Sequence, residues 1–202
     1  MIYRKFRNIN IDNAFGVSPV GQDTMLLAKH SGKLDFDTAL EVGTGTGFIP
    51  IYLKLTGHNC IGIDINKTAV KCAKKNANKN NVNVKFFVSD VFSNVRGKFE
   101  LIIFNPPYGN VRSSFLSKYV EIIKSLLPKE NPIIAKVSYQ LIKKQRRYLL
   151  KSFFQKAPSF LKKNGKIVIY LHLSEMDFVK DKAFKILDNY KDLRLVLLTP
   201  KN

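Results

Sequence analysis

Short apolar blocks alternate with segments of helical periodicity along the first half of the chain. The apolar blocks predict four strands, at residues 38–42, 59–65, 82–88 and 99–104. A helix is expected over residues 48–55, and another after Asn66, a suitable N-cap residue. In the second helix, apolar residues share one side while lysines occupy the other: Ala69, Val70, Ala73 and Ala77. Alternating strands and helices with short connections predict a parallel α/β sheet with right-handed crossovers.

The rest of the chain continues this plan. Further elements are predicted as helices at residues 23–33, 143–161 and 177–187 and strands at residues 166–173 and 193–198. The basic helix among them is expected to be disturbed near Pro158 and ended by Asn164-Gly165. The expected fold is therefore an α/β, Rossmann-like sheet of seven strands, mostly parallel, with helices on both faces.

The domain organisation follows from the spacing of glycine and proline. These residues separate the periodic segments without clustering, and no low-complexity linker or internal repeat divides the sequence. We therefore expect residues 1–202 to form a single domain. Residues from about 110 to 140 do not fit the strand–helix alternation. Long insertions of this kind usually serve recognition, so a substrate-recognition segment is expected there.

Composition excludes several classes of protein. The chain has 202 residues, 45% of them hydrophobic, enough to bury a core without disulfides or metal. Its longest apolar runs, residues 101–104 and 167–171, are far shorter than the roughly 18 residues that suggest a membrane span. The start of the chain has charge but no following apolar stretch, so a cytoplasmic location without a secretory signal is expected. Cys60 and Cys72 lack a neighbouring Cys or His cluster, and we expect no metal site.

The net charge of +19 is unevenly distributed. Residues 111–202 contain 20 basic and 7 acidic side chains, against 14 and 8 in residues 1–110. Residues 131–174 contain ten Lys or Arg and no Asp or Glu, including the run Lys143-Lys144-Gln145-Arg146-Arg147. Such a field favours nucleic acid, ribosome or an acidic protein surface as partner. A lysine-rich solvated surface explains the same pattern, so the charge alone does not name a substrate.

A glycine-rich run from Glu41 to Gly47, E-V-G-T-G-T-G, follows a predicted strand and begins a helix. Glycines at such a turn let the backbone bend tightly and approach a ligand closely. A dinucleotide-binding G-x-G-x-x-G pattern would require glycine at position 48, where Phe48 stands, and no P-loop lysine follows. The G-x-G-x-G spacing after an acidic residue instead resembles that of class I S-adenosylmethionine methyltransferases.

Two acidic residues follow the next two strands. Asp64 ends the second strand, 21 residues after Gly43, where a carboxylate can accept hydrogen bonds from both ribose hydroxyls. Asp90 follows the third strand, where its carboxylate can accept from the amine of adenine while the Val91 N–H bonds the ring. Taken alone, Asp64 is more typical of a surface or helix-capping residue, and Asp90 of an N-cap. Their register with the glycine turn favours a nucleoside site.

The tetrapeptide Asn105-Pro106-Pro107-Tyr108 ends the fourth strand. It can be a simple turn, but it lies at the carboxyl edge of the predicted sheet, where open α/β sheets bind ligands. A planar amide or aromatic amine has a delocalised lone pair and is a poor nucleophile. The Asn105 side-chain oxygen and the Pro106 carbonyl can accept hydrogen bonds from its two N–H groups and direct the nitrogen at a methyl group. Tyr108 can pack on the planar face of the same group.

From about residue 18 to residue 108, and more loosely over residues 147–173, the chain resembles class I methyltransferases with an NPPY motif. This group includes HemK/PrmC-like glutamine N5-methyltransferases and the N6-adenine methyltransferases of DNA and RNA. Pro19 and Asp23-Thr24 match the P-R-x-D/E-T segment of the HemK/PrmC-like enzymes, with one extra residue and no arginine between them. The length resembles their short branch, whereas the glycine-rich run usual after the motif is missing.

The resemblance implies an S-adenosylmethionine-dependent N-methyltransferase that acts on a planar NH2 group. A glutamine of a release factor or related translation protein is favoured, adenine N6 in RNA or DNA is the alternative, and an inactive nucleic-acid-binding module is a remote one. A small activator subunit is a possible partner. The residues expected to act on the substrate are Asn105, Pro106, Pro107 and Tyr108. The residues expected to bind S-adenosyl-L-methionine are Thr24, Glu41, Gly43, Thr44, Gly45, Gly47, Asp64, Ile65, Asp90, Val91 and Asn105.

Overall fold

The computed structural model describes Phe6 and residues 8–107 and 132–199. The helices within these residues are α1 (Gln22–Ser31), α2 (Phe48–Leu55), α3 (Lys67–Lys79) and α4 (Pro132–Lys156). The strands are β1 (Thr38–Val42), β2 (Asn59–Asp64), β3 (Phe86–Val88), β4 (Phe99–Phe104), β5 (Leu161–His172), β6 (Ala183–Tyr190) and β7 (Leu193–Thr199). Tyr108 and most of the expected recognition segment lie outside the described residues.

The strands form one seven-stranded sheet in the order β3-β2-β1-β4-β5-β7-β6. Neighbouring strands from β3 to β5 are parallel, whereas β7 runs antiparallel to both β5 and β6. The chain builds outward from β1 through β2 to β3 and then returns to place β4 on the other side of β1. Since the strand order reverses between β1 and β4, this point is where an open α/β sheet forms a ligand crevice.

Both faces of the sheet are covered, as the apolar fourth strand predicted. Leu101 and Ile103 of β4 pack in the cluster that contains residues of α1 and α2. Ile102 and Phe104 pack in the opposite cluster, with residues of α4. Since successive side chains of a strand point to opposite faces, both clusters can be filled only by a run of consecutive apolar residues. The seven-stranded, mostly parallel α/β sheet with helices on both faces is confirmed.

One predicted helix is a strand. Residues 177–187 were expected to be helical, but a 3₁₀ helix at Leu173–Phe178 precedes β6 in that part of the chain. Strand β6 pairs with β7 along its whole length, and the pairing register shifts between Ile186 and Asp188. This irregularity breaks the alternation of period two that would have indicated a strand. Pairing with a distant strand therefore overrides the local pattern.

The basic helix also has different limits. It extends over Pro132–Lys156 and continues as a 3₁₀ helix at Ala157–Phe160, which contains Pro158. Asn164-Gly165 does not end the helix but lies within β5, beside a shift in the pairing of β5 with β4. Asn164 has φ of 65°, a left-handed conformation that asparagine adopts more readily than most residues. The turn signal was real, but it marks an irregular strand.

No described helix is both long and apolar enough to cross a membrane. No group of three or more His, Cys, Asp or Glu side chains capable of holding a metal ion occurs in the described part of the chain.

The third predicted strand is shorter than expected, since only Phe86–Val88 pairs with β2.

Candidate active site

A cleft of about 640 Å³ opens at the carboxyl ends of β1, β2, β3 and β4. Each strand ends in a segment that lines this cleft: residues 41–46 after β1, 64–66 after β2, 89–91 after β3 and 105–107 after β4. Residues 15–20, which precede α1, line it from the other side. The cleft therefore brings together, at the switch point of the sheet, motifs that lie between residues 15 and 107 of the sequence.

Most of the predicted site residues line the cleft. Those that do are Thr24, Glu41, Gly43, Thr44, Gly45, Asp64, Ile65, Asp90, Val91, Asn105, Pro106 and Pro107. Gly47 does not. It occupies the N-cap of α2 with φ of 82°, and a Cβ there would lie 2.8 Å from the Cβ of Ala73. Gly47 thus allows α2 and α3 to pack closely, which is a structural role.

The glycine turn after β1 depends on a left-handed backbone. Gly43 has φ of 70° and Gly45 has φ of 54°, a region that residues with a Cβ adopt only at a cost. A Cβ on Gly43 would meet its nearest neighbour, Phe104, at 3.7 Å, so space is not the constraint there. The glycines are required for the conformation that turns the backbone toward the cleft.

Glu41 is buried near the end of β1, and its side chain supports the glycine turn that follows. Its carboxyl group accepts a hydrogen bond of 2.6 Å from the Thr44 hydroxyl. Burial raises the pKa of Glu41 well above its ordinary value, the Thr44 hydrogen bond opposes this, and the charge of Asp64 adds to the rise. Glu41 therefore favours the neutral form in the folded protein.

Asp64 connects the first two loops of the site. Its Oδ2 accepts from the Gly45 N–H at 2.9 Å, and its Oδ1 accepts from the Asn66 N–H at 2.9 Å. Burial raises the pKa of Asp64, while hydrogen bonds from the Asn66, Gly45 and Ile65 N–H groups oppose the rise. Each carboxylate oxygen can accept a further hydrogen bond, so the predicted role toward ribose hydroxyls is compatible with this geometry.

The segment after β3 has a strained backbone. Val91 has φ of 49°, which is unusual for a β-branched residue. The Ser89 hydroxyl donates to the Val91 carbonyl at 3.1 Å and accepts from the Asn94 N–H at 3.1 Å. Strained residues of this kind concentrate at functional sites and persist only when the surroundings fix them.

The segment before α1 is held over the cleft by α3. The Asp12 N–H donates to the Asn76 side chain at 2.9 Å, and the Asp12 carboxylate pairs with Lys75 and Lys79. Further along, the Asn66 side chain donates to the Gly16 carbonyl at 3.1 Å. These contacts position residues 15–20, a wall of the cleft that the sequence pattern did not predict.

Asn105 is oriented by a residue that sequence reasoning did not include among the site residues. Its Nδ2 donates to Oδ2 of Asp23 at 2.8 Å. Because a carboxylate only accepts hydrogen bonds, this contact fixes which end of the amide faces α1. The Asn105 Oδ1 is buried and has no hydrogen-bond partner among the residues that the structure describes. A buried acceptor without a donor is costly in free energy and marks a place where a ligand donor fits.

Arg146 binds the prolines of the motif. Its Nη1 donates to the carbonyl of Pro106 at 2.6 Å and to that of Pro107 at 2.9 Å. Its Nε and Nη2 contact the two carboxylate oxygens of Glu175 at 2.7 and 2.9 Å. Arg146 is 5% exposed and Glu175 is 3% exposed. The guanidinium thus connects α4, the end of β4 and the segment after β5.

This placement corrects an expectation. The sequence placed Arg146 and Arg147 in a basic surface cluster suited to polyanions, but Arg146 is buried and Arg147 pairs with Asp177 at 2.6 Å. A signal was available, because Arg146 lies four residues before Leu150 and seven before Phe153, both fully buried. This spacing places all three on one helix face.

Several known proteins resemble this chain in sequence. The methyltransferase small domain model matches residues 6–127. A relative from Methanocaldococcus jannaschii named protein N5-glutamine methyltransferase is 50% identical over 88 residues, covering 43% of this chain and 45% of that protein. The release factor glutamine methyltransferase of Buchnera aphidicola subsp. Schizaphis graminum is 32% identical over 164 residues, covering 78% and 56%.

A third relative has a different substrate in its name. The ribosomal RNA small subunit methyltransferase C of Buchnera aphidicola subsp. Acyrthosiphon pisum is 30% identical over 152 residues, covering 73% of this chain and 44% of that protein. The chain spans about half the length of these curated relatives.

Solved structures show the same fold. A ribosomal protein L11 methylase from Lactobacillus delbrueckii subsp. bulgaricus superposes with a TM-score of 0.67 at 16% identity, covering 96% of this chain and 86% of that one. The 16S rRNA N2 G1207 methyltransferase of T. thermophilus, in complex with AdoMet and guanosine, gives a TM-score of 0.61 at 16% identity, covering 93% and 45%. These likenesses confirm the predicted fold class.

Proposed function

Since the chain belongs to the methyltransferase small domain family, we propose that it is an S-adenosylmethionine-dependent N-methyltransferase. We further propose that it acts on a glutamine side-chain amide of a release factor or related translation protein. The observation that carries the proposal is the buried Oδ1 of Asn105, which has no donor within the described part of the chain and directly precedes the prolines after β4. Two acceptors at this point suit a planar NH2 group.

The cleft fits the proposed cofactor. Gly43 and Gly45 line the cleft with a left-handed backbone, and a Cβ on either would meet its nearest neighbour at ordinary contact distance, 3.7 Å or more. Asp64 offers carboxylate oxygens for ribose hydroxyls, and Asp90 offers a carboxylate for the amine of adenine. The Val91 backbone is fixed beside Asp90 and suits the adenine ring. These residues would hold S-adenosylmethionine.

The substrate nitrogen is activated by position. When bound, S-adenosylmethionine supplies an electrophilic methyl group, and its sulfur keeps the electron pair of the broken S–C bond. The Asn105 Oδ1 and the Pro106 carbonyl accept hydrogen bonds from the two N–H groups of the substrate NH2. These contacts direct the nitrogen lone pair out of conjugation and toward the methyl group. Both oxygens also stabilise the positive charge that develops on nitrogen. The methylated nitrogen then releases one proton to water, so no strong general base is required.

Support for glutamine comes from two sources. Relatives named as glutamine methyltransferases match the chain at 32–50% identity, and two arginines of the basic run are engaged by Glu175 and Asp177. The second candidate substrate is adenine N6 in RNA. It is favoured by the ribosomal RNA methyltransferase relative and by the ten basic residues between residues 131 and 174. The small activator subunit and the stacking role of Tyr108 remain predictions.

One experiment distinguishes these substrates. The protein is incubated with methyl-labelled S-adenosylmethionine and cell extract, and portions are then treated with protease or with ribonuclease. Hydrolysis and mass spectrometry of the labelled fraction identify the product. N5-methylglutamine in protease-sensitive material supports the proposal, whereas N6-methyladenosine in ribonuclease-sensitive material supports the second candidate. Absence of any transferred label from the wild-type protein would reject the proposed activity.

A variant tests the chemistry of the site. Asn105→Ala should leave cofactor affinity nearly unchanged but lower turnover by about a hundredfold, since the lost acceptor acts at the reacting nitrogen. Asn78→Ala, on the exposed face of α3, is the matched control and should change neither. Equal losses of cofactor affinity and turnover in Asn105→Ala would show that Asn105 is structural.

A further inference from the structure

We propose that Arg146 and Glu175 are positioning residues for methyl transfer, because they fix the carbonyl of Pro106 in the orientation that accepts a substrate N–H. The inference rests on the proposed function of the Asn105-Pro106 pair of acceptors. Neither residue needs to touch the substrate, since both act through the backbone that does.

The contacts of Arg146 span three parts of the fold. Its guanidinium reaches the carbonyls of Pro106 and Pro107 after β4, and its Nη2 lies 3.4 Å from the carbonyl of Tyr170 in β5. Glu175 in turn accepts from the His172 N–H at 2.9 Å, at the end of β5. The position of the prolines is therefore set against β5 as well as against β4.

The prolines make this support necessary. Proline has no N–H, so this segment cannot form the ladder hydrogen bonds that would fix its peptide planes. Arginine is suited to the task because its planar guanidinium carries five N–H donors, enough for a bidentate carboxylate contact and two carbonyls together. A lysine at position 146 has a single nitrogen and cannot reach all five of these oxygens: the carbonyls of Pro106, Pro107 and Tyr170 and the two carboxylate oxygens of Glu175.

In this proposal the carbonyl of Pro106 accepts hydrogen bonds from two donors, Arg146 and the substrate NH2 group. A carbonyl oxygen has two lone pairs, and Arg146 occupies one on Pro106 at 2.6 Å. Fixing that contact fixes the direction of the remaining lone pair, which is the one left for the substrate. The sequence-based role of the Pro106 carbonyl is thus retained, with an additional donor that the sequence did not reveal.

Charge explains why Glu175 accompanies Arg146. Positive charge develops on the substrate nitrogen during transfer, and an unpaired guanidinium near it would raise the barrier. The bidentate contact with Glu175 makes the buried pair neutral overall. Buried ion pairs often add little stability compared with apolar residues of similar size. Stability therefore does not explain why this ion pair is buried here, whereas orientation of the proline carbonyls does.

The first test separates positioning from binding. Arg146→Lys should lower turnover by about a hundredfold, the cost of a small misplacement at a reacting centre, with cofactor dissociation constant unchanged within about twofold. Arg147→Lys is the matched control, since Arg147 is the next residue and its partner is the exposed Asp177. Glu175→Gln should also lower turnover more than it raises KM, because the guanidinium charge is no longer offset. Full activity of Arg146→Lys would overturn the proposal.

The second test does not depend on activity. Carbon-detected NMR of the ligand-free protein reports the carbonyl shifts of Pro106 and Pro107, which respond to hydrogen bonding. We expect both shifts to change in Arg146→Lys and neither to change in Arg147→Lys. Unchanged shifts in a folded Arg146→Lys protein would reject the proposal. If Arg146→Lys does not fold, Glu175→Gln is judged by the same shifts. A wild-type protein without methyl transfer would reject the proposed function instead, and the shifts would still decide whether the pair holds the prolines.

Discussion

Two carboxyl groups beside the glycine turn differ in their hydrogen-bond donors, and this difference divides their roles. Glu41 is buried at the base of the cleft and accepts from one hydroxyl donor, so burial dominates and raises its pKa well above the ordinary range. Asp64 is also raised in pKa by burial, but backbone N–H groups of Gly45 and Asn66 favour its charged form. Asp64 is therefore the one of the two that we expect to accept hydrogen bonds from a ligand, whereas Glu41 accepts from Thr44 within the turn.

The raised pKa of Asp64 predicts a pH-dependent cofactor affinity. Its ionised form is expected to accept from both ribose hydroxyls, whereas protonation turns one carboxylate oxygen into a donor and weakens the acceptor strength of the other. As pH falls through the raised pKa, affinity for S-adenosylhomocysteine should decrease, by up to about tenfold per pH unit. Calorimetry from about pH 4 to pH 8 measures this. Asp64→Asn should bind more weakly at neutral pH and lose the dependence, and a dependence that persists in this variant would assign it to another group.

Asp23 is predicted to act only through Asn105. In Asp23→Asn, the new amide can donate or accept, so the orientation of the Asn105 amide is no longer unique. Turnover should fall by about tenfold or more through misplacement of Oδ1. In an Asn105→Ala background the same substitution should have little further effect, which a double-mutant cycle measures. Asp35→Asn, at an exposed position, is the control. Additive losses in the cycle would contradict the assignment.

At the scale of elements, the β6–β7 hairpin shows how partner strands decide local structure. Strand β6 pairs only with β7 among the described strands and lies at the edge of the sheet. The hairpin turn places Lys191 at φ of 54°, in the left-handed region. A lysine there is strained, since its Cβ disfavours this conformation.

Replacing each of two lysines in this hairpin with glycine should have opposite effects on the free energy of unfolding. Lys191→Gly should raise the free energy of unfolding by about 0.5–1 kcal/mol, since glycine adopts positive φ without the steric cost. Lys185→Gly, at an exposed position within β6, should lower it by about 0.5–1 kcal/mol through the entropy lost by a strand glycine. Urea denaturation of both variants measures the difference. Destabilisation by both would show that the turn is not strained.

For the whole molecule, the +19 net charge is less concentrated near the site than the sequence indicates. Of the run at residues 143–147, Arg146 and Arg147 have carboxylate partners within the fold. Lys143 is half-buried and Lys144 is exposed. The field of the protein still favours acidic partners, but this run offers two lysines to a polyanion instead of four cations.

The salt dependence of substrate binding tests this redistribution. For a protein substrate, we expect the logarithm of affinity to change with the logarithm of salt concentration with a slope shallower than about −1.5, the value for two phosphate contacts on a single strand. Lys143→Gln with Lys144→Gln should lower kcat/KM by less than about threefold, in line with weak exposed charges. A slope near −4, as expected for about six phosphate contacts, would favour RNA as substrate.

Local sequence patterns were enough to predict the central sheet and the positions of the turns that line its cleft. Buried parallel strands require consecutive apolar residues, and the turn after β1 requires glycines, so both leave local signatures. Because parallel strands end at one edge, the order of the motifs was enough to bring Gly43, Asp64 and Asn105 to one cleft. The family and the fold followed from these local patterns.

Only the tertiary structure decided which side chains support those turns. Asp23 and Asn105 are 82 residues apart, and Arg146 lies 40 residues from Pro106. Strand β6 likewise depends on its pairing with β7. A hydrogen bond between distant residues leaves no periodic trace in the sequence, so a buried arginine looks the same as a solvated one. Its role emerges only when packing removes it from water and places a carboxylate and two carbonyls within reach.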